Sequence, residues 1–151
     1  MSKIYYEYEK FLNDLRIIET WIAESNYKPD VIVGLIRGGL VPSTYLSHQI
    51  NVPVDTLKLS TRDHVNFDMK DIYSYVNHIT DKYQNILVID DIVDSGKTLN
   101  LLESCIHKSL KKQFRYISMW WNIKSNFVVD YSPNNYTSDN VSWISFPWEK
   151  A

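Results

Sequence analysis

This sequence has one cysteine, a small net charge and no long apolar run, and each of these features excludes a class of protein. Cys105 is the one cysteine among 151 residues, so no intramolecular disulfide framework can form, and a reducing compartment is expected. The formal net charge is −2, which gives no electrostatic footprint for nucleic acid. No stretch has the apolar length of a signal peptide or a transmembrane helix. We therefore expect a cytoplasmic protein that acts without a membrane or a nucleic acid.

Glycine is also scarce, and its four positions mark the predicted loops. They are residues 34, 38, 39 and 96, and each lies after or near the end of an apolar run rich in β-branched residues. The runs at 31–35 and 86–89 predict buried strands of a parallel sheet. Apolar side chains at three- and four-residue spacing predict an amphipathic helix over about residues 5–25. Alternating strands and helices indicate one α/β domain over residues 1–151, with a mostly parallel twisted sheet flanked by helices.

The remaining elements follow from the same patterns. Further helices are predicted at about residues 40–50 and 98–110, and further strands at about 54–59, 116–121 and 127–131. Residues 60–80 are polar and predict a long mobile loop followed by a short helix. Ligands bind at the carboxyl ends of the strands in such sheets, so the segments after Leu35 and Ile89 are the first candidates for a site.

Two adjacent carboxylates, Asp90 and Asp91, follow the second buried run. Carboxylates at a strand end are costly unless they bind something, such as ribose hydroxyls or a hydrated cation. The segment that opens the next helix supplies hydroxyls and successive backbone N–H groups, which suit a phosphate. A nucleoside-triphosphate P-loop is excluded, because it needs a glycine five positions before Gly96 and position 91 is aspartate.

The whole stretch from residue 86 to residue 98 resembles the phosphoribosyl-pyrophosphate (PRPP) motif of the type I phosphoribosyltransferases. The resemblance implies that Asp90 and Asp91 hold the ribose hydroxyls, with or without magnesium between. It implies that Asp94 lies near N7 of a purine and handles its proton as a general acid or base. The 5′-phosphate would be bound by four consecutive residues: Ser95, Gly96, Lys97 and Thr98.

The segment after the first buried run, residues 34–42, resembles the pyrophosphate loop of the xanthine-guanine and related purine phosphoribosyltransferases. Gly38 and Gly39 would let the backbone turn and point N–H groups at an anion. Arg37 would add a forked cation for phosphate oxygens. The family resemblance also implies a non-proline cis peptide bond between Ile36 and Arg37.

Two further segments extend the resemblance over about residues 31–149. The start of the polar loop resembles the family's flexible catalytic lid, with a solvated surface loop as the alternative; its residues are Ser60, Thr61, Arg62, Asp63 and His64. Trp143 and Ile144 resemble the end of the purine base pocket, with the indole stacked on the base. Glu149 occupies the place of an acid near the magnesium pyrophosphate, so the implied metal ligands are Asp90, Asp91 and Glu149.

The purine enzymes usually carry a lysine at the end of the strand after the PRPP helix, and this sequence departs from that pattern. Asn122 stands at that place, and Lys124 follows two residues later. Both would face the same side of an extended strand, so either is a candidate for reading the 6-position of the base. An asparagine amide can donate to a 6-oxo group or accept from a 6-amino group.

These observations predict a magnesium-dependent transferase that moves phosphoribosyl from PRPP to a purine, with a 6-oxopurine expected. The base pocket would lie in a small C-terminal hood, formed by about residues 122–151 and the N-terminal segment. Abundant aromatic residues suggest a homo-oligomer, either a dimer or a tetramer. Two alternatives stay open: a sensor of PRPP or nucleotides built on the same fold, and a phosphoribosyltransferase for a different base.

Overall fold

The computed structural model describes residues 1–59 and 68–149 of the chain. The helices are α1 (Tyr8–Glu24), α2 (Leu40–Ile50), α3 (Met69–Lys82) and α4 (Lys97–Ser104), with a 3-10 helix at Lys108–Gln113. The strands are β1 (Ser2–Tyr5), β2 (Val31–Ile36), β3 (Val54–Lys58), β4 (Ile86–Val93), β5 (Phe114–Asn122), β6 (Asn134–Tyr136) and β7 (Val141–Ser145).

Two parallel sheets are formed in the described part of the chain. The larger has the strand order β3-β2-β4-β5-β6, and every neighbouring pair in it is parallel. The smaller joins β1 to β7, also in parallel. The prediction of a mostly parallel sheet flanked by helices is therefore confirmed.

Alternate residues of the central strands enter cores on opposite faces of the large sheet, as the period of two requires. Val31 and Val33 of β2 pack on the face covered by α3 and α4. Ile32, between them, packs on the face covered by α1 and α2. Because both faces are covered, these strands read as continuous apolar runs in the sequence.

Several element boundaries differ from the sequence-based predictions. The first helix begins at Tyr8, because residues 2–5 pair with β7 as a strand. The helix predicted over 98–110 ends at Ser104. Cys105 N–H donates a hydrogen bond to Leu102 O at 3.0 Å, which tightens the last turn. The predicted short helix is α3, which has 14 residues. Residues 127–131 form no strand; their ladder pairing with β5 is limited to an isolated bridge between Ile117 and Tyr131.

A buried polar network ties the first helix to β6. The carboxylate of Asp14 is 1% exposed and accepts hydrogen bonds from Tyr6 Oη at 2.6 Å and Asn134 Nδ2 at 2.7 Å. Lys10 Nζ lies 3.2 Å from it and supplies the countercharge. Burial and the Asp14 carboxylate raise the pKa of Tyr6. The network fixes β6, and with it the segment that leads into the hood.

Candidate active site

A cavity of about 780 Å³ opens at the carboxyl ends of β2 and β4. That is where ligands bind in open parallel sheets. Most of the predicted site residues line it: Arg37, Gly38, Asp90, Asp91, Asp94, Ser95, Gly96, Lys97, Thr98, Trp143 and Glu149. The structure thus brings together residues from three segments far apart in the sequence.

The loop after β2 is shaped by close packing against β4. The peptide bond between Ile36 and Arg37 is cis, as the family resemblance implied. A Cβ atom on Gly39 would lie 2.3 Å from the carbonyl oxygen of Ile89, so no side chain fits there. Gly39 N–H donates to Leu35 O at 2.8 Å and therefore closes the turn rather than facing the cavity. Steric proximity, rather than a left-handed backbone, accounts for glycine at this position.

Gly38 brings the loop against the acidic pair. A Cβ atom on Gly38 would lie 2.1 Å from Oδ2 of Asp91, so the carboxylate occupies the space that a side chain would need. Asp91 Oδ1 accepts from Ile92 N–H at 2.7 Å, and Asp90 Oδ1 accepts from Asp91 N–H at 2.9 Å. These bonds hold both half-buried carboxylates at the cavity wall.

The acidic pair has the ligand chemistry of a partial site for a divalent metal. Among residues 1–59 and 68–149 no group of three or more His, Cys, Asp or Glu side chains could hold a metal ion. Magnesium is usually bound by one or two carboxylates together with substrate phosphates and water. Asp90 and Asp91 fit that pattern. Glu149, the third predicted ligand, lines the same cavity, while its Oε2 accepts from Phe146 N–H at 3.1 Å.

The loop between β4 and α4 has the form of an anion cradle. Gly96 has φ = +86°, a conformation that glycine adopts without strain, and a Cβ there would lie 2.8 Å from Phe127. Ser95 Oγ accepts from Lys97 N–H at 3.3 Å. The helix begins at Lys97, so the positive end of its dipole faces the loop.

Asp94 is exposed to the cavity and is held by two residues from the next strands. Tyr136 Oη donates to Asp94 Oδ1 at 2.7 Å. Asn122 Nδ2 lies 3.4 Å from the same oxygen and 3.2 Å from the Asp94 carbonyl oxygen. The contact with Tyr136 was missed by sequence reasoning, because that residue stands in a three-residue strand within a polar tail.

A second cavity, of about 350 Å³, adjoins the first. The two cavities share Asp94, Trp143 and Glu149 among their lining residues. Tyr136 and the buried Ile144 also line the second cavity. Met1 and four residues of β7 also line it, and β7 pairs with β1 of the N-terminal segment. Trp143 is 56% exposed, so its indole is accessible for stacking on a ligand.

The two residues expected to read the base line neither cavity. Asn122 is 5% exposed and its amide is engaged with Asp94, while its Oδ1 accepts from Lys124 N–H at 3.0 Å. The strand ends at Asn122, so Lys124 lies in the following turn rather than in an extended strand. Its ammonium group pairs with Asp139 at the surface. The predicted lid residues, Ser60, Thr61, Arg62, Asp63 and His64, lie outside the described residues.

Comparison with known proteins identifies the family. The family described as the phosphoribosyl transferase domain matches residues 1–150. The chain belongs to the phosphoribosyltransferases. It is 28% identical over 121 residues to the xanthine-guanine phosphoribosyltransferase of Idiomarina loihiensis, which covers 78% of this chain and 70% of that one. It is 29% identical over 125 residues to the enzyme of the same name from Cereibacter sphaeroides, covering 80% of this chain and 69% of that one.

Solved structures of other phosphoribosyltransferases share the fold. The purine phosphoribosyltransferase from Pyrococcus horikoshii superimposes with a TM-score of 0.74 at 25% identity, covering all of this chain and 96% of that one. The xanthine-guanine-hypoxanthine phosphoribosyltransferase of Helicobacter pylori superimposes with a TM-score of 0.71 at 23% identity, covering 98% of this chain and 94% of that one. In this phosphoribosyltransferase, none of the helices within the described residues has the length and apolarity that crossing a membrane requires.

Proposed function

We propose that this phosphoribosyltransferase serves purine salvage, moving the 5-phosphoribosyl group from PRPP to a 6-oxopurine and releasing pyrophosphate. One observation carries the proposal: the acidic pair, the phosphate cradle and Asp94 line one cavity, and Asp94 and Trp143 also line the adjoining second cavity. The names of the relatives, two xanthine-guanine enzymes and a purine enzyme, support a purine acceptor.

Each part of the site has a place in the reaction. The bond between C1 of the ribose and the pyrophosphate oxygen breaks, and the pyrophosphate leaves with the electron pair. N9 of the base forms the new bond to C1. The base then loses one proton, which Asp94 accepts from N7. Asp90 and Asp91 hold the ribose, and the loop that opens α4 holds the 5′-phosphate. Catalysis is then mainly positioning and electrostatic stabilisation.

We further propose that the enzyme depends on magnesium, held by Asp90 and Asp91 in a cavity that Glu149 also lines. The donor set supports this, because two carboxylates beside a pyrophosphate complete a site of the kind magnesium prefers. When bound, the ion neutralises charge on the leaving pyrophosphate. Arg37, exposed at the mouth of the same cavity, adds a second positive charge for that group.

Two broader features of the proposal concern the setting of the enzyme. A cytoplasmic location is supported by the scarcity of cysteine, since Cys105 is the one cysteine in the sequence. A homo-oligomer is supported by exposed aromatic side chains on the α1–α2 face, Tyr8 and Tyr45. Light scattering of the purified protein measures the oligomeric state directly; a monomer at micromolar concentration would contradict this part.

The decisive experiment is pyrophosphate release with PRPP and magnesium, using guanine, hypoxanthine, xanthine and adenine separately. We expect release with a 6-oxopurine. Asp94→Asn keeps the shape of the side chain but cannot take a proton, so kcat should fall about 10²- to 10⁴-fold. Asp81→Asn, at an exposed position on α3, is the matched control and should behave as the parent does.

Three results would contradict the proposal. Turnover with adenine alone would exclude the 6-oxopurine assignment. PRPP binding without release of pyrophosphate on any of the four bases would favour a sensor or an unusual acceptor. Full activity of the Asp94→Asn variant would remove the residue from proton transfer.

A further inference from the structure

The hydroxyl of Tyr136 and the carboxylate of Asp94 form an adjacent pair on the wall of the second cavity. Their oxygens are 2.7 Å apart, and both residues line that cavity. No lysine or arginine is found among the described residues that line it. The polar group closest to Asp94 within this cavity is therefore a neutral phenol rather than a cation.

The position of Tyr136 is fixed by its neighbours. It lies directly opposite Asn122 in the pairing of β6 with β5, and the two side chains contact the same oxygen of Asp94. Its carbonyl oxygen accepts from Ile123 N–H at 3.0 Å. Its ring meets the edge of Trp120 at a centroid distance of 6.5 Å. The strand pairing and the ring contact thus fix the position of the Tyr136 side chain and of its hydroxyl.

The pair complements one edge of a 6-oxopurine. N7 and the 6-oxygen are neighbouring atoms that proteins commonly read together. When N7 carries its proton, that edge offers a donor beside an acceptor. Before the base binds, the hydroxyl of Tyr136 donates to Asp94. Once the base is bound, Asp94 accepts from N7–H, and the hydroxyl rotates to donate its one proton to the 6-oxygen. The Asp94 and Tyr136 oxygens are 2.7 Å apart, a spacing that suits one contact to N7 and one to the neighbouring 6-oxygen.

We infer that Tyr136 positions Asp94 before the base binds and recognises the 6-position of the acceptor base once it is bound, an inference that rests on the proposed function. Asn122 takes no direct part in recognition, because its amide supports the Asp94 loop. Lys124 is paired with Asp139 at the surface. A neutral hydroxyl thus does in this chain what a charged lysine does in the usual family pattern.

The test compares hypoxanthine with purine that has only hydrogen at C6, in the parent enzyme and in Tyr136→Phe. Removing the hydroxyl should lower kcat/KM for hypoxanthine roughly 10- to 100-fold, and lower it for unsubstituted purine only about threefold, through the loss of Asp94 positioning. The KM for PRPP should stay within about twofold, because the donor site is not touched. Tyr73→Phe, at an exposed position on α3, is the matched control.

Each outcome decides the matter. A parent enzyme with no turnover on any base removes the proposed function and the inference with it. A parent with turnover and an unaffected Tyr136→Phe variant overturns the inference alone. An equal loss on both bases also overturns recognition, since the hydroxyl would then act on Asp94 only. If Tyr136→Phe folds poorly, the parent enzyme still tests the inference. A parent kcat/KM for hypoxanthine that does not exceed the value for unsubstituted purine by about tenfold would overturn it.

Discussion

Replacing Gly38 and Gly39 by alanine, one at a time, should separate ligand binding from folding. The added methyl of Gly38→Ala would lie 2.1–2.5 Å from the carboxylate of Asp91, which is the far end of a flexible side chain. Moving that side chain off its rotamer costs about 0.5–1.5 kcal/mol. The methyl of Gly39→Ala would lie 2.3 Å from Ile89 O and 2.8 Å from the backbone of Leu35. Backbone atoms of central strands cannot move aside, so we expect a loss above about 3 kcal/mol.

The expected results follow from that contrast. Urea unfolding should show Gly38→Ala within about 2 kcal/mol of the parent and Gly39→Ala much less stable. Calorimetry with PRPP and magnesium should show at least roughly tenfold weaker binding to folded Gly38→Ala, because a charged contact worth about 1.5–3 kcal/mol is displaced. Equal losses of stability in the two variants would refute the reasoning. So would undiminished PRPP binding by Gly38→Ala.

Three further predictions concern other parts of the molecule. Trp143→Ala should raise the KM for the base by the equivalent of about 1–3 kcal/mol of stacking. The unfolding free energy should stay nearly unchanged, since the indole is exposed. An unchanged KM would exclude stacking. Tyr6→Phe removes a hydrogen bond to the buried Asp14 carboxylate and should cost about 1.5–3 kcal/mol in urea unfolding. Burial raises the pKa values of Tyr27 and Tyr116 above the ordinary value of 10.0. The folded state therefore keeps those protons longer, and stability should be intact below pH 10 and fall as the pH rises above it, which thermal melts at increasing pH would detect.

The donor half of the site could be predicted from the sequence because its signals are local. The apolar run at 86–89 predicts a buried strand, and the residues proposed to bind PRPP follow it without a break. The same holds for the loop after β2. In both places the strand, the turn and the functional side chains occupy one short stretch of chain, so periodicity and residue type suffice.

The acceptor half could not be predicted in the same way, because its contacts join distant segments. Tyr136 meets Asp94 across 42 positions of sequence, and its strand has only three residues. Lys124 would face the same side as Asn122 only if β5 continued, but the strand ends at Asn122 and Lys124 pairs with Asp139 at the surface. No local pattern reports where a strand ends when a turn of ordinary polar residues follows it.

The parallel pairing of β1 with β7 has a consequence for how the molecule opens. Ser2 lies opposite Val141, so this small sheet of two short strands closes almost the whole chain into one loop, and that closure has an entropic cost. The large sheet, by contrast, is built from strand–helix–strand units with short separations. Cooperative units of unequal stability are the expected result, with the edge that carries Trp143 exchanging its amide hydrogens faster than β2 and β4. Under mild denaturation such a protein would bind the base more weakly while it still bound PRPP.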